Sequence, residues 1–140
     1  MHISFAVFAD AANLSQEGKL NVLGIFDALQ VAGFPSIHPR THFVIRLKGG
    51  VTDVGTHTLA FRWHNPKGNE LWQSSGNLQL EAAPQASGDV DLPVVAVIDL
   101  PLDAPGEYTM FVELDDQPVT RVQLFVNGPN APIPSLGLVS

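Results

Sequence analysis

The chain has 140 residues, no cysteine and a formal net charge of −7, as expected for a single domain of ordinary size. Without cysteine it has no disulfide framework, no thiolate metal site and no cysteine nucleophile, a composition that favours a reducing compartment, and we expect a cytoplasmic protein. Its seven basic residues are scattered singly, which argues against nucleic acid or an anionic membrane as partner, since both require clustered Lys and Arg.

Two long apolar strands open the chain. Residues 3–13 and 20–31 flank a turn at 15–18, where Gly18 is free to adopt a positive φ. Both alternating faces of these strands are apolar, whereas a half-solvated antiparallel strand has one polar face. We therefore predict a hairpin that is either central and covered on both faces, or in contact with a partner. The apolar start is interpreted as a strand, and no run approaches the length of a membrane span.

The middle of the chain alternates strands and turns. Residues 34–39 are predicted to be an extended connector, because each residue before a proline disfavours helix. Strands are predicted at 42–48, 57–64 and 70–82, with Trp63 and Trp72 pointing inward. A loop at 84–88 precedes a further apolar strand at 91–100.

The corner Leu102–Tyr108 carries the strongest fold signal. A turn, then Gly106-Glu107-Tyr108, then an alternating strand is typical of Greek-key sandwiches, in which the tyrosine ring packs inward and its hydroxyl bonds to the corner backbone. A turn at 115–118 leads to a last strand at 119–126.

These patterns together predict an all-β domain. We expect seven to nine antiparallel strands in two sheets, packed as an immunoglobulin-like Greek-key sandwich over residues 1–128. A proline-rich C-terminal tail, 129–140, follows the domain.

The sequence contains no catalytic motif. Pro39 separates His38 from His42, and the spacing of His57 and His64 places them on opposite strand faces. A zinc site needs three or four converging ligands, so we predict no metal and no cofactor. Asp10 and Asp27 interrupt the two most apolar strands; the alternative, a small metal-dependent hydrolase, would use these carboxylates and the histidines.

Tryptophans suggest a second alternative. Trp63 and Trp72, near Asn65 and Gln73, would form an aromatic platform in a carbohydrate-binding module. Tryptophans at strand spacing are more often core residues, which is the interpretation we favour.

Three segments carry a family resemblance. They are Phe8-Ala9-Asp10-Ala11-Ala12-Asn13, then Gly18-Lys19-Leu20-Asn21 running to Gly24-Ile25-Phe26-Asp27, and then Phe34-Pro35 with His38-Pro39. With the later Gly106-Glu107-Tyr108, this pattern resembles an uncharacterised bacterial family of small β-sandwich proteins. The resemblance implies a β domain of unknown function and brings no catalytic residues.

We predict a binding or structural module that is not an enzyme and that acts through protein contacts. Phe111 and Phe125 fall on the strand faces where period-two alternation predicts polar residues, and pairing across the last turn can bring them within aromatic reach. Beside the apolar hairpin they would form a patch of the kind that marks an interface, and a homodimer is the expected assembly. The alternative is that the tail covers this patch within one chain.

Overall fold

A computed structural model describes residues 1–81 and 90–129. Over these residues the chain forms nine strands and one short 3-10 helix, Val51–Asp53, between the fourth and fifth strands. The strands are β1 (His2–Leu14), β2 (Leu20–Phe26), β3 (Ala28–Gln30), β4 (Ser36–Gly49), β5 (Gly55–His64), β6 (Glu70–Leu80), β7 (Val90–Leu102), β8 (Gly106–Leu114) and β9 (Gln117–Asn127).

The strands form two sheets that face each other across one core. The four-stranded sheet has the order β2-β1-β4-β7, and the five-stranded sheet has the order β3-β9-β8-β5-β6. This confirms the predicted two-sheet, all-β sandwich of seven to nine strands. The expectation of purely antiparallel pairing is wrong at one place, because β3 pairs with β9 in parallel.

Asp27 divides the predicted strand 20–31 in two. Phe26 is the last residue of β2, and its neighbour in β1 is Phe8. The Asp27 carbonyl accepts a hydrogen bond from the Phe125 N–H at 2.9 Å, and the chain then continues as β3 in the other sheet. The predicted single strand is therefore wrong, because the backbone changes its hydrogen-bonding partner from β1 to β9 at this residue.

The predicted connector 34–39 is also partly strand. Residues 36–38 open β4 and pair with the end of β7. A bulge between His38 and Thr41 contains Pro39 and Arg40, and the Arg40 N–H donates to Asp99 Oδ1 at 2.9 Å. A bulge accommodates Pro39 because proline has no N–H to donate to the ladder.

The core lies between the inner faces of the two sheets and is rich in aromatic rings. Phe8, Phe43 and Trp63 are fully buried, and the rings of Phe8 and Phe43 lie 5.0 Å apart. The inward alternation predicted for β5 and β8 is confirmed, since Leu59, Phe61, Tyr108, Met110 and Val112 are all buried.

The predicted tyrosine corner is confirmed. Tyr108 Oη donates to the Ala104 carbonyl at 2.6 Å and accepts the N–H groups of Asp103 and Ala104 at 2.9 and 3.0 Å. Gly106 begins the strand with φ +138°, and a Cβ there would lie 2.8 Å from Pro66 Cγ. The corner needs glycine at this position because the proline ring of the β5–β6 turn fills the space.

Two predicted segments fall outside the described residues: the loop 84–88, and the tail from residue 130 onward. The domain boundary at 128 therefore stays a prediction. Among the residues that the structure describes, no helix is long and apolar enough to cross a membrane.

Candidate interaction surface

The outer face of the four-stranded sheet, which points away from the core, is apolar over much of its width. Strand register places Ile25, Ala9, His42 and Val97 in one row across the sheet. Around this row lie the residues that we call the outer patch: Val7, Ala11, Leu23, Ile25 and Val97. Leu23 is 69% exposed, Ile25 63% and Val97 54%. An outer sheet face usually carries polar residues, so this surface departs from the pattern of a fully solvated sandwich.

Polar groups limit the outer patch at one end of the sheet. Arg46 forms a two-pronged ion pair with Asp91, with N–O distances of 2.8 and 2.9 Å. The carboxylate of Asp91 holds the pKa of Arg46 above its usual value, chiefly through this hydrogen bond. The patch is thus an apolar area next to a charged rim, an arrangement common at protein interfaces.

Strand β2 forms the edge of the sheet beside the outer patch. Natural sheet edges are protected by charges, prolines, bulges or short length. Of the other described edge strands, β7 contains Pro93 and Pro101, β3 has three residues, and β6 carries Glu70 and mostly polar side chains. The span Leu20–Phe26 contains neither a charged residue nor a proline. Strand β2 is therefore the least protected of these edges.

The hairpin of β1 and β2 projects beyond the rest of its sheet. Pairing of β1 with β4 ends at Ala9, whereas pairing with β2 continues to Leu14. Leu14 is 50% exposed. A two-stranded ribbon is only marginally stable in water, so contact with a partner would stabilise this arm as well as cover it.

Gly24 has a specific role in the arm. Its φ is +70°, and a Cβ at this position would collide with the carboxylate of Asp10. Asp10 is one position away from Ala11, which pairs with Leu23. The carboxylate lies against the β2 backbone at the one residue that has no side chain to exclude it.

An apolar cleft lies where β2 ends. It measures about 370 Å³ and is lined by Ala6, Val7, Phe8, Ile25, Phe26, Asp27 and Val122. The cleft exists because β2 leaves the sheet at Asp27 while β1 continues. It adjoins Val7 and Ile25 of the outer patch and extends the apolar surface toward the second sheet.

The predicted interface residues Phe111 and Phe125 lie on the outer face of the five-stranded sheet. Their predicted closeness is wrong: Arg121 lies opposite Phe111, and Glu107 lies opposite Phe125. The two phenylalanines are thus separated by four positions along the ladder, about 13 Å at strand spacing. Phe125 is 51% exposed, while Phe111 is half-buried against the His64 ring, with centroids 4.8 Å apart.

Ion pairs make this second outer face polar. Arg62 Nε lies 2.9 Å from Glu113 Oε1, and Arg62 Nη1 lies 3.1 Å from Glu70 Oε1. These bonds, first that to Glu113, raise the pKa of Arg62 above its ordinary value. The exposed apolar surface therefore lies mainly on the four-stranded sheet rather than around Phe111 and Phe125.

The tryptophans do not form the exposed platform that the carbohydrate alternative requires. Trp63 is 0% exposed, and its Nε1–H donates to the Pro101 carbonyl at 2.9 Å. Trp72 lies opposite Trp63 and packs partly buried against the core. A ring without solvent-exposed faces cannot stack on a sugar, so the platform alternative fails at Trp63, which lies in the core as the favoured interpretation expected.

His57 bonds at both ring nitrogens. Nδ1 lies 2.5 Å from Asp115 Oδ2, and Nε2 lies 2.6 Å from the Asp53 carbonyl oxygen. Because a carbonyl only accepts and Asp115 is a carboxylate, both contacts are satisfied together when both nitrogens donate, as they do in the imidazolium form. The Asp115 bond, followed by the Asp53 bond, raises the pKa of His57, and the same contact lowers the pKa of Asp115. His57 thus joins β5 to the 3-10 helix and the β8–β9 turn.

The remaining histidines and aspartates are dispersed. His38 packs edge-on against Phe26, and His42 Nδ1 lies 3.1 Å from the Arg40 carbonyl. Across the part of the chain that the structure describes, no three His, Asp or Glu side chains come together as a metal site.

Comparison with known proteins identifies the family. A family model described as a family of unknown function, DUF6941, matches residues 4–127. The chain belongs to this family. The resemblance expected from the N-terminal motifs is thereby confirmed at the level of a family of unknown function. No curated protein matches the chain.

Among the solved structures that resemble this DUF6941 protein are two distant ones. An immunoglobulin-like protein from Pseudomonas aeruginosa shares 14% identity, with 90% of this chain and 95% of that chain covered and a TM-score of 0.40. The alkylpurine DNA glycosylase AlkC from Pseudomonas fluorescens, bound to DNA containing an abasic site analogue, shares 8% identity; the match covers 87% of this chain and 30% of that chain, with a TM-score of 0.42. The fold is assigned from the strands and their pairing and takes nothing from these two likenesses.

Sequence reasoning detected part of the outer patch of the DUF6941 protein. The absence of a polar face in residues 3–13 and 20–31 already indicated a covered hairpin or a partner. It did not single out Leu23 and Ile25, because their exposure follows from the position of β2 at the sheet edge. Comparing prolines and charges between edge strands requires the strand order, which the sequence does not reveal.

Proposed function

We propose that this protein is a non-catalytic binding module that acts through protein contacts made by the outer patch and the β2 edge. The observation that carries the proposal is the exposure of Leu23 and Ile25 beside an edge strand without charge or proline. Contiguous apolar surface on soluble proteins marks interaction sites, and unpaired edge strands bind by accepting a further strand.

The gain from covering this surface is substantial. Fully burying one Leu or Ile side chain contributes roughly 1.5–3 kcal/mol, and Leu23 and Ile25 are both mostly exposed. The backbone groups of β2 would add hydrogen bonds to this apolar gain. The adjoining cleft of about 370 Å³ would accept an apolar side chain from the bound partner.

The titratable groups support a non-catalytic role. His57, Asp53 and Asp115 are engaged in one structural cluster, and the Asp103 carboxylate accepts a hydrogen bond from the Asn65 amide at the corner. Carboxylates and imidazoles bonded in this way stabilise loops and do not converge on a cleft. We place the module in the cytoplasm, supported by the cysteine-free composition.

Site-specific photo-cross-linking in living cells tests the proposal. A benzoylphenylalanine at position 23 or 25 is expected to give discrete protein adducts on irradiation, because these side chains would lie inside the contact. The matched control places the same residue at position 125, which is also an exposed apolar position but lies on the five-stranded sheet.

Adducts from positions 23 and 25 and not from 125 support the proposed surface. Equal adducts from all three positions, or none from 23 and 25, would contradict it. The experiment assumes no particular partner, because mass spectrometry identifies the attached protein afterwards. It therefore tests the surface separately from the partner's identity.

A further inference from the structure

We propose that the partner on the β2 edge is a second copy of this chain. The two β2 strands would run antiparallel about a twofold axis at Leu23 and join the two four-stranded sheets into one. This inference rests on the proposed function and adds the identity and register of the partner. Closed twofold dimers are the commonest soluble assembly. In such a dimer every contact occurs twice, because a residue that contacts a second residue of the other copy is itself contacted by that residue's equivalent.

The charges flanking β2 are complementary in this register. Lys19 precedes the strand and Asp27 follows it, and each is four positions from Leu23. Antiparallel pairing centred on Leu23 therefore brings Lys19 of one copy to the end of the other copy's β2, beside Asp27, and the symmetry repeats the pair. Both side chains are exposed. Within one copy, Lys19 Nζ lies 3.2 Å from Glu17 Oε2, and both of these side chains are exposed. Solvent weakens an exposed ion pair, so the ammonium can change its partner.

The uncharged span between these residues suits self-association of an acidic chain. The protein carries a net charge of −7, so most surfaces of two copies repel each other. Within Leu20–Phe26 no side chain is charged, and the outer-patch residues beside it are apolar. Two copies meet over this span with no charged side chain of β2 itself in the contact, while the Asp10 carboxylate lies against Gly24 in each copy.

The other edge of the same sheet shows the contrast. Strand β7 spans Val90–Leu102 and contains Asp91 and Asp99, which are equally distant from Val95. Antiparallel self-pairing centred there would place Asp91 opposite Asp99 of the second copy, twice. Like charges directly opposite one another destabilise a strand pair. Arg46 binds Asp91, yet neither of the two aspartate positions offers a basic residue to the other, so β7 lacks the complementary charges that flank β2.

Charge reversal with mixing tests both the partner and the register. Sedimentation is measured over micromolar concentrations for the wild type, Lys19→Asp, Asp27→Lys and an equimolar mixture of the two variants. Each variant alone would have two repulsive pairs and is expected to dimerise about tenfold more weakly than the wild type. In the mixture, both pairs are complementary in the heterodimer, so association is expected to recover to near the wild-type level.

Matched controls exclude a general effect of charge. Lys67→Asp and Asp116→Lys make the same reversals at exposed turn positions away from β2 and are expected to leave dimerisation unchanged. Circular dichroism checks that each variant is folded.

Each outcome decides the proposal. A wild type that stays monomeric overturns self-association. In that case the proposed function stands if position 23 cross-links to a different protein. It fails together with self-association if position 23 cross-links to nothing. A dimer that neither reversal weakens, or two weakened variants that do not recover on mixing, overturns the β2 register. Recovery confined to the mixture supports it.

Discussion

The phenol ring of Tyr108 stacks on the indole of Trp63, with centroids 5.2 Å apart and planes 18° apart. Both side chains also bond to the segment that leads from β7 into the turn. Trp63 Nε1 donates to the Pro101 carbonyl, and Tyr108 Oη accepts the N–H groups of Asp103 and Ala104. The turn between β7 and β8 is thereby attached to the centre of the core. This attachment explains why the corner sequence predicts the fold.

Replacing Tyr108 with Phe is expected to lower the free energy of unfolding by about 1–3 kcal/mol, because the partly buried N–H groups of Asp103 and Ala104 lose their acceptor. Chemical denaturation measures the change. Thr56→Val is the control, since it removes an exposed hydroxyl, bonded to Gln79, and should stay within about 0.5 kcal/mol of the wild type. Equal stabilities for Tyr108→Phe and the control would contradict the structural role of the corner.

Gly106→Ala is expected to destabilise the protein by more than about 1 kcal/mol, because φ is +138° and the new Cβ would lie 2.8 Å from Pro66 Cγ. Pro66→Gly removes the colliding ring atoms. The double variant should therefore be more stable than the sum of the two single changes predicts. Strict additivity in thermal or chemical unfolding would show that Pro66 does not restrict position 106.

The His57 cluster predicts a defined pH dependence. The folded pKa of His57 is raised, chiefly by Asp115, so its contribution is complete below the unfolded value of about 6.5 and is lost as pH rises through the folded pKa. The pKa of Asp115 is lowered, chiefly by His57, so its contribution is present above about 3.9 and is lost as pH falls. The cluster stabilises the fold most between about pH 4 and 6.5.

Unfolding of wild type and His57→Gln across pH tests this window. The stability difference between them should be largest within it and decrease toward alkaline pH. The same subtraction for Thr56→Val should show no such trend. A stability difference that grows above neutral pH would contradict stabilisation of the cluster by the imidazolium form of His57.

The sequence predicted the strands where local chemistry determines them, and it was less informative where distant strands meet. Alternation in β5 and β8 and the Tyr108 corner depend on neighbours in the chain. The change of sheet at Asp27 depends on a hydrogen bond to Phe125, nearly a hundred positions away. One polar residue in an apolar run gives no local sign of it.

The misplaced interface has a similar cause. The register of Phe111 and Phe125 depends on the turn between β8 and β9 and on a shift between Val112 and Glu113. Alternation places both rings on one face and leaves their separation open. Burial of Trp63 was expected from its strand spacing, whereas the exposure of Leu23 depends on strand order.

Ile25→Lys separates association from folding. Ile25 is 63% exposed, so the lysine should change the stability of the unassembled chain by no more than about 0.5 kcal/mol, while a charge within the contact should abolish association. Val119→Lys, at an exposed apolar position on the other sheet, is the control and should leave association intact. If Ile25→Lys lowers the stability of the unassembled chain while Val119→Lys does not, Ile25 is a structural residue instead of a contact residue.

Amide hydrogen exchange at increasing protein concentration tests the proposed contact surface most directly. Strand addition at β2 gives its outward backbone groups hydrogen-bonding partners that are absent in the free chain. Protection is therefore expected to rise with concentration within residues 20–26 and to stay constant in β9, residues 117–127. Exchange in β2 that is independent of concentration, or protection that rises only around Phe125, would contradict the account.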